Sequence, residues 1–216
     1  MKIDCFKTHQ IVRSVPPAKR DYRRYKEELS VDFNHRCAYC NLHDSRVTTP
    51  FEIDHFVPRK AFEKLRSDLE TDYRNLVYSC HKCNNIKRDQ FEGDMSLPLP
   101  TNELFYDPAI VDYNTIFYRN EIGAIDSDDS KGKEMIEHLK LYRPIHILSW
   151  ICEKMDSQIE RLEKAAKDEN DIVRKEKLTE AANKLCSQYR KYVNLFNASY
   201  NNQKLLEDLL ETVCTV

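Results

Sequence analysis

The sequence predicts an α+β fold with a small core pinned by zinc and a mainly α-helical C-terminal region. Three observations predict it. Two CxxC pairs, Cys37/Cys40 and Cys80/Cys83, have the spacing of one tetrahedral zinc site. Two short β-rich runs lie between the pairs. From Ile145 onward, apolar residues recur at helical spacing. With 216 residues, 41% hydrophobic and 32% charged, the chain can bury a core and is not of disordered composition.

The elements follow in order. "VPPAKRDYRRYKEELSVDFNHRCAYC" enters on Pro-Pro and then reads as a helix, with Tyr22, Tyr25, Leu29 and Phe33 at helical spacing and Arg20, Arg23, Arg24 and Lys26 on its other side. "VTTPFEIDHF" is β-rich and Pro58 stops it. "AFEKLRSDLE" is a short helical segment. "NLVYSC" is a strand into the second cysteine pair, and "CNNIKRDQF" starts a helix capped by Asn84 or Asn85. The turn-rich stretch after Ser96 suggests an extended segment with a hairpin around Gly123, and "GKEMIEHLKLYRP" a short helix ended by Pro144. Leu148, Cys152, Met155, Ile159 and Leu162 form one helical stripe; Leu178, Ala182, Leu185, Tyr189, Tyr192 and Phe196 form a second after the "KDEND" break. "NQKLLEDLLETV" adds a terminal helix. The expected divisions are 1–100 for the core with its N-terminal helix, 101–144 for an extension packing on it, and 145–216 for a helical subdomain.

Composition also excludes. Three glycines leave no Gly-rich phosphate loop. No apolar run approaches the roughly 18 residues that cross a bilayer, so no membrane partner is expected. "MKIDCFKTHQ" lacks a signal-peptide core, which reads as a cytoplasmic protein. The net charge is −2, but residues 1–90 carry a Lys/Arg excess and residues 91–216 the reverse. That local excess suits phosphate binding. Four thiolates would close the zinc shell, so this metal is structural and does no chemistry. His81, inside the second pair, then reads as an exposed non-ligand.

The residues framed by the cysteines carry a resemblance. "CAYC", "EIDHFVPRKAF", "RNLVYSC" and "CHKCNNIK", in this order and spacing, resemble the HNH endonucleases, a branch of the ββα-metal (His-Me finger) nucleases, in their four-cysteine form. The likeness covers about residues 35–90 and extends weakly through the segment ending at Pro144. It implies a ββα-metal core and a one-metal phosphodiesterase. Asp54 and Asn84 would hold a catalytic Mg²⁺ or Mn²⁺, as hard oxygen ligands suit. His55 would be the general base, its ordinary pKa of about 6.5 lying near working pH. Asn75 would brace the loop that orients His55. Lys87 and Arg59 are candidates to meet substrate phosphate, or are ordinary solvated charges.

One geometric condition attaches to this set. Adjacent strand residues face opposite ways, so Asp54 and His55 serve one site only if the strand ends there and the backbone turns. Glu52 shares a face with Asp54 and reads as a solvated carboxylate, with accessory ligation as its other reading.

The layout also resembles defence nucleases of the Septu and retron-associated type, in which an HNH core and a helical region act beside an ATPase. This implies nucleic acid, DNA above all, as substrate, in defence against phage or foreign DNA. The expected protein partner is an ATPase, or a second copy joined through the C-terminal helices. The competing class is a non-catalytic zinc-ribbon module that binds nucleic acid or protein. Such a module has no need of Asp54, His55, Asn75 and Asn84 together.

Overall fold

The computed structural model describes residues 1–201. They divide into two units, Met1–Tyr142 and a second unit from Arg143 onward. Among the described residues no helix is long and apolar enough to cross a membrane.

The first unit opens with β1 (Asp4–Cys5), a 3₁₀ turn at Tyr22–Tyr25 and α1 (Lys26–Asp32). Tyr25, Leu29 and Phe33 are buried as their spacing predicts, and Asp21 caps the turn by accepting from the Arg23 amide. Next come β2 (Glu52–His55), the single turn α2 (Arg59–Phe62), two 3₁₀ turns at Ser67–Glu70 and Tyr73–Asn75, and β3 (Leu76–Ser79). β2 and β3 form an antiparallel pair in the register Glu52 to Ser79, Ile53 to Tyr78, Asp54 to Val77 and His55 to Leu76.

α3 (His81–Lys87) follows directly. Its cap is Cys80, whose sulfur accepts from the Cys83 amide, so the helix begins ahead of the asparagines expected to cap it. The cysteine pair therefore does two jobs, since the turn that aims Cys80 inward also satisfies the first helical N–H groups.

The rest of the unit is α4 (Tyr113–Ile116), β4 (Phe117–Arg119), β5 (Ile125–Ser127) and α5 (Ser130–His138). β4 and β5 make the expected hairpin around Gly123, whose φ of 78° an L side chain rarely adopts. β1 pairs with β4 to complete a three-stranded sheet of order β1-β4-β5. α5 ends at His138, earlier than expected. Lys140 turns left-handed with φ 51°, and the amides of Leu139, Lys140 and Leu141 return to helix carbonyls.

Pro144 does not end a helix; it begins one. The second unit starts with α6 (Pro144–Asp168), where proline occupies a first-turn position that needs no N–H donor. α7 (Ile172–Asn201) packs along α6 after a short turn at 169–171, with Ile159 and Ala182 buried. The terminal helix expected from "NQKLLEDLLETV" lies outside the described residues.

Candidate active site

The four cysteines of the two CxxC pairs converge. Their sulfurs lie within 4.8 Å of one another and all four residues are buried. Cys40 and Cys80 Sγ are 3.8 Å apart. Zn–S bonds of about 2.3 Å in a tetrahedron give sulfur–sulfur edges of about 3.8 Å, so the cluster fits zinc. Burial opposes ionisation of Cys37, yet hydrogen bonds from Cys40, Cys80 and Cys83 hold its pKa well below the thiol range. Cys80 and Cys83 are pushed well up, with Cys37 the first cause for both. A divalent ion would supply the positive charge that lets such a buried cluster of sulfurs bind as thiolates.

The two loops are also tied without metal. The Ala38 amide donates to the Tyr78 carbonyl at 2.7 Å. The buried Lys7 Nζ donates to the Ala38 carbonyl at 2.8 Å.

β2 carries the polar residues, and its pairing decides where they go. All four positions are in register with β3, so side chains alternate through His55. Glu52 and Asp54 meet α3. His55 goes the other way, against the ring of Tyr22 at 4.6 Å between centroids and that of Phe62 at 5.6 Å. Its Nε2 lies 3.0 Å from the Glu70 carbonyl oxygen. A carbonyl only accepts, so Nε2 carries the proton and Nδ1 keeps its lone pair. Burial lowers the His55 pKa below its ordinary value, and the Glu70 carbonyl and Asp54 oppose this only in part. The neutral imidazole is the favoured form, which is the form a general base needs.

Asn75 lies 1% exposed, under the loop that follows His55. Its Oδ1 accepts from the Val57 amide at 2.8 Å, and its Nδ2 donates to the carbonyls of Val57 and Leu69. It therefore grips the peptide groups of a residue two beyond His55. Arg59 pairs with Glu70 at 3.0 Å, with both side chains about half exposed. That pair steadies the residue whose carbonyl holds the imidazole.

Asp54 is buried in a closed set of partners. Tyr39 donates to its Oδ2 at 2.6 Å, and Lys87 Nζ lies 3.1 Å from Oδ2 and 3.2 Å from Oδ1. Lys87 is fully buried and also donates to the His55 carbonyl at 2.8 Å. This corrects the expectation that Lys87 meets phosphate as a surface charge, because its ammonium is spent inside the fold. Asp54, 6% exposed and beside an ammonium, does not fit a divalent cation in this arrangement.

Asn84, by contrast, is half-buried on α3 and donates to Glu52 Oε2 at 2.5 Å. The other Glu52 oxygen accepts from His81 Nδ1 at 2.7 Å. Burial opposes ionisation of Glu52, but these two hydrogen bonds and Lys26 nearby hold its pKa below the usual carboxylate range. Sequence reasoning placed Glu52 and His81 in the background. Two signals pointed to them: Glu52 shares the Asp54 face, and His81 lies three residues before Asn84, one helical turn away.

Residues 37–90 match the HNH endonuclease family and form an HNH domain. A stretch of 54 residues is 32% identical to the Septu protein PtuB of Bacillus thuringiensis, covering 25% of this chain and 20% of PtuB. The chain thus aligns with about a fifth of that relative's length. No solved structure matches.

Proposed function

We propose that the protein is a metal-dependent endonuclease that hydrolyses phosphodiester bonds in DNA, acting in bacterial defence against phage or foreign DNA. The observation that carries this reading is His55. Within an HNH domain its Nε2 is pinned on the Glu70 carbonyl, leaving Nδ1 with a lone pair on a ring that burial keeps neutral.

In this reading His55 Nδ1 takes the proton of the attacking water. Tyr22 and Phe62 hold the ring from its sides, and Asn75 fixes the turn after it. A bound Mg²⁺ or Mn²⁺ supplies positive charge for the scissile phosphate and the leaving oxygen. Asn84 is the ligand of the expected pair that the geometry leaves accessible; Asp54 reaches a cation only if its contact with Lys87 opens. The open groove lined by Arg23, Arg24, Lys26 and His35, with Glu27 and Asp44 also in its wall, supports a backbone-binding role, and Arg59 is a further candidate to meet phosphate.

The likeness to PtuB supports the defence setting, and a partner ATPase is the arrangement expected from a Septu-type layout. Co-purification with a partner tests that point, with self-association through the C-terminal helices as the other outcome. The central test is cleavage of plasmid, single-stranded DNA and RNA with Mg²⁺ or Mn²⁺, alone and with any partner, comparing wild type with His55→Ala at equal zinc content. Loss of cutting in the folded variant supports the base. Failure to cut any substrate in any setting defeats the nuclease in favour of a zinc-ribbon binding module.

A further inference from the structure

The structure assigns Arg13 the role of a positioning residue. By holding the carbonyls of Tyr73 and Leu76 it fixes Asn75, and through Asn75 the turn that follows His55. The clamp itself stands on geometry; its effect on a reaction rests on the nuclease reading.

Arg13 lies upstream of residues 37–90, which form the HNH domain. Its Nη1 carries two hydrogens, and two carbonyls receive them, Tyr73 at 2.9 Å and Leu76 at 2.5 Å. These carbonyls bracket Asn75, so its backbone is held from both sides. Leu76 is also the residue opposite His55 in the β2–β3 ladder. Asn75 passes the constraint on. Its carbonyl accepts from the Phe56 amide at 2.8 Å, and its side chain binds both the amide and the carbonyl of Val57. A tilt of the Tyr73–Leu76 turn would therefore move the two residues after His55.

The guanidinium is itself held in place. The Arg13 side chain is 15% exposed and lies 5.7 Å from the centre of the Phe33 ring. The next residue, Ser14, donates its amide and hydroxyl to Asp32 Oδ2 at 2.7 and 2.9 Å. The Tyr73 hydroxyl donates to the same oxygen at 2.6 Å, so the chain beside Arg13 is tied to a residue that Arg13 clamps. Asp107 is the paired carboxylate, but it lies 3.8 Å from Nη2, beyond hydrogen-bond reach. A guanidinium kept only for an ion pair would aim its fork at that carboxylate. Here the directed hydrogen bonds go to the turn instead.

The test is amide hydrogen exchange of the zinc-loaded full chain, read beside kcat and KM for nucleic-acid cleavage. In Arg13→Met the Phe56 and Val57 amides should exchange about tenfold faster or more. The Ala38 amide, bound to the Tyr78 carbonyl in the same core, should stay within about twofold. kcat should fall about tenfold with KM within about twofold, since a small misplacement of a reacting group can cost up to about 100-fold. Asp107→Asn should leave the Val57 exchange within about threefold, because its charge does not direct the clamp. If Arg13→Met fails to fold, Arg13→Lys takes its place. It keeps the charge but not the planar fork, and the same selective acceleration is expected. Unchanged Val57 exchange in the folded variant overturns the assignment. So does equal acceleration at Ala38 and Val57, which would make Arg13 a support of the whole core. Faster Val57 exchange with unchanged kcat overturns the positioning role and leaves the nuclease reading intact. Selective exchange in a protein whose wild type cuts no nucleic acid would defeat the nuclease reading, and leave the clamp on Asn75 established.

Discussion

Replacing Lys87 with methionine separates two roles that a sequence cannot tell apart. In the structure the ammonium is fully buried, 3.1 Å from an Asp54 oxygen and 2.8 Å from the His55 carbonyl. Methionine fills most of the volume but leaves the Asp54 carboxylate buried with Tyr39 as its remaining partner. Removing one member of a buried pair costs about 3–5 kcal/mol, because the other charge is stranded. At about 2–4 °C per kcal/mol for a domain of this size, melting should fall by roughly 10 °C. Asp54→Asn strands the ammonium instead and should cost a similar amount. The double variant strands neither, so it should recover much of the loss and show strong coupling in the cycle. The assay is urea or thermal unfolding at saturating zinc, beside a nucleic-acid binding isotherm. A Lys87→Met protein within about 0.5 kcal/mol of wild type, the size of an ordinary surface change, with weakened nucleic-acid binding would refute the buried-pair argument and restore the phosphate role.

The other predictions draw on the same site. Chelation of the metal should unfold the region between the cysteine pairs, since structural zinc binding contributes about 10–16 kcal/mol to small folds, and Cys83→Ser should lower zinc content, both read by circular dichroism and metal analysis. The acidic limb of cleavage should lie below pH 6.5, because burial lowers the His55 pKa and the base works when neutral. The same shift makes stability fully present above the unfolded value near 6.5 and lost as pH falls through the folded value, which acid unfolding of His55→Gln against wild type checks. Tyr22→Ala should open the ring to water and move the limb towards 6.5, while Tyr22→Phe should not; identical pH profiles would remove Tyr22 from the site. Changing Arg23, Arg24 and Lys26 together to Ala should weaken nucleic-acid binding and reduce its salt slope by up to about 3, at about 0.9 per phosphate contact, without changing zinc content.

Much of the core was legible because its signals are local. CxxC spacing announces a metal cluster without any knowledge of the chain path, and the cysteines do converge. The β2 and β3 runs follow from β-rich composition, with Pro58 stopping the first, and the α6 and α7 stripes from apolar periodicity. What stayed hidden depended on partners distant in sequence. Lys87 reads as a solvated charge until Asp54, Tyr39 and the His55 carbonyl are brought around it. Nothing in "CAYC" marks Tyr39, and only the fold aims its hydroxyl at Asp54. The asparagines after Cys83 looked like caps because Asn favours that place, yet the turn geometry of the cysteine pair had already claimed it. Pro144 was misplaced for a related reason, since proline marks a helix start as readily as a helix end.

The strand pair also imposes an order on the site. Because β2 remains in register through His55, His55 and the acidic residues leave opposite faces of the ladder. The His55 side is closed by Tyr22, Phe62 and the Glu70 carbonyl; the acidic side is closed by α3. Asp54 sits deep on that side and Glu52 near its open end, as their exposures show. Lys87 joins the two faces, holding the Asp54 side chain and the His55 carbonyl with one ammonium. A change in the Asp54–Lys87 contact is therefore felt at the backbone of His55. In the proposed reaction Asp54 would then act through the position of His55. Its loss should then alter the pH profile and kcat of cleavage more than the Mn²⁺ concentration needed for half-maximal rate, and the opposite split would make it a metal ligand after all.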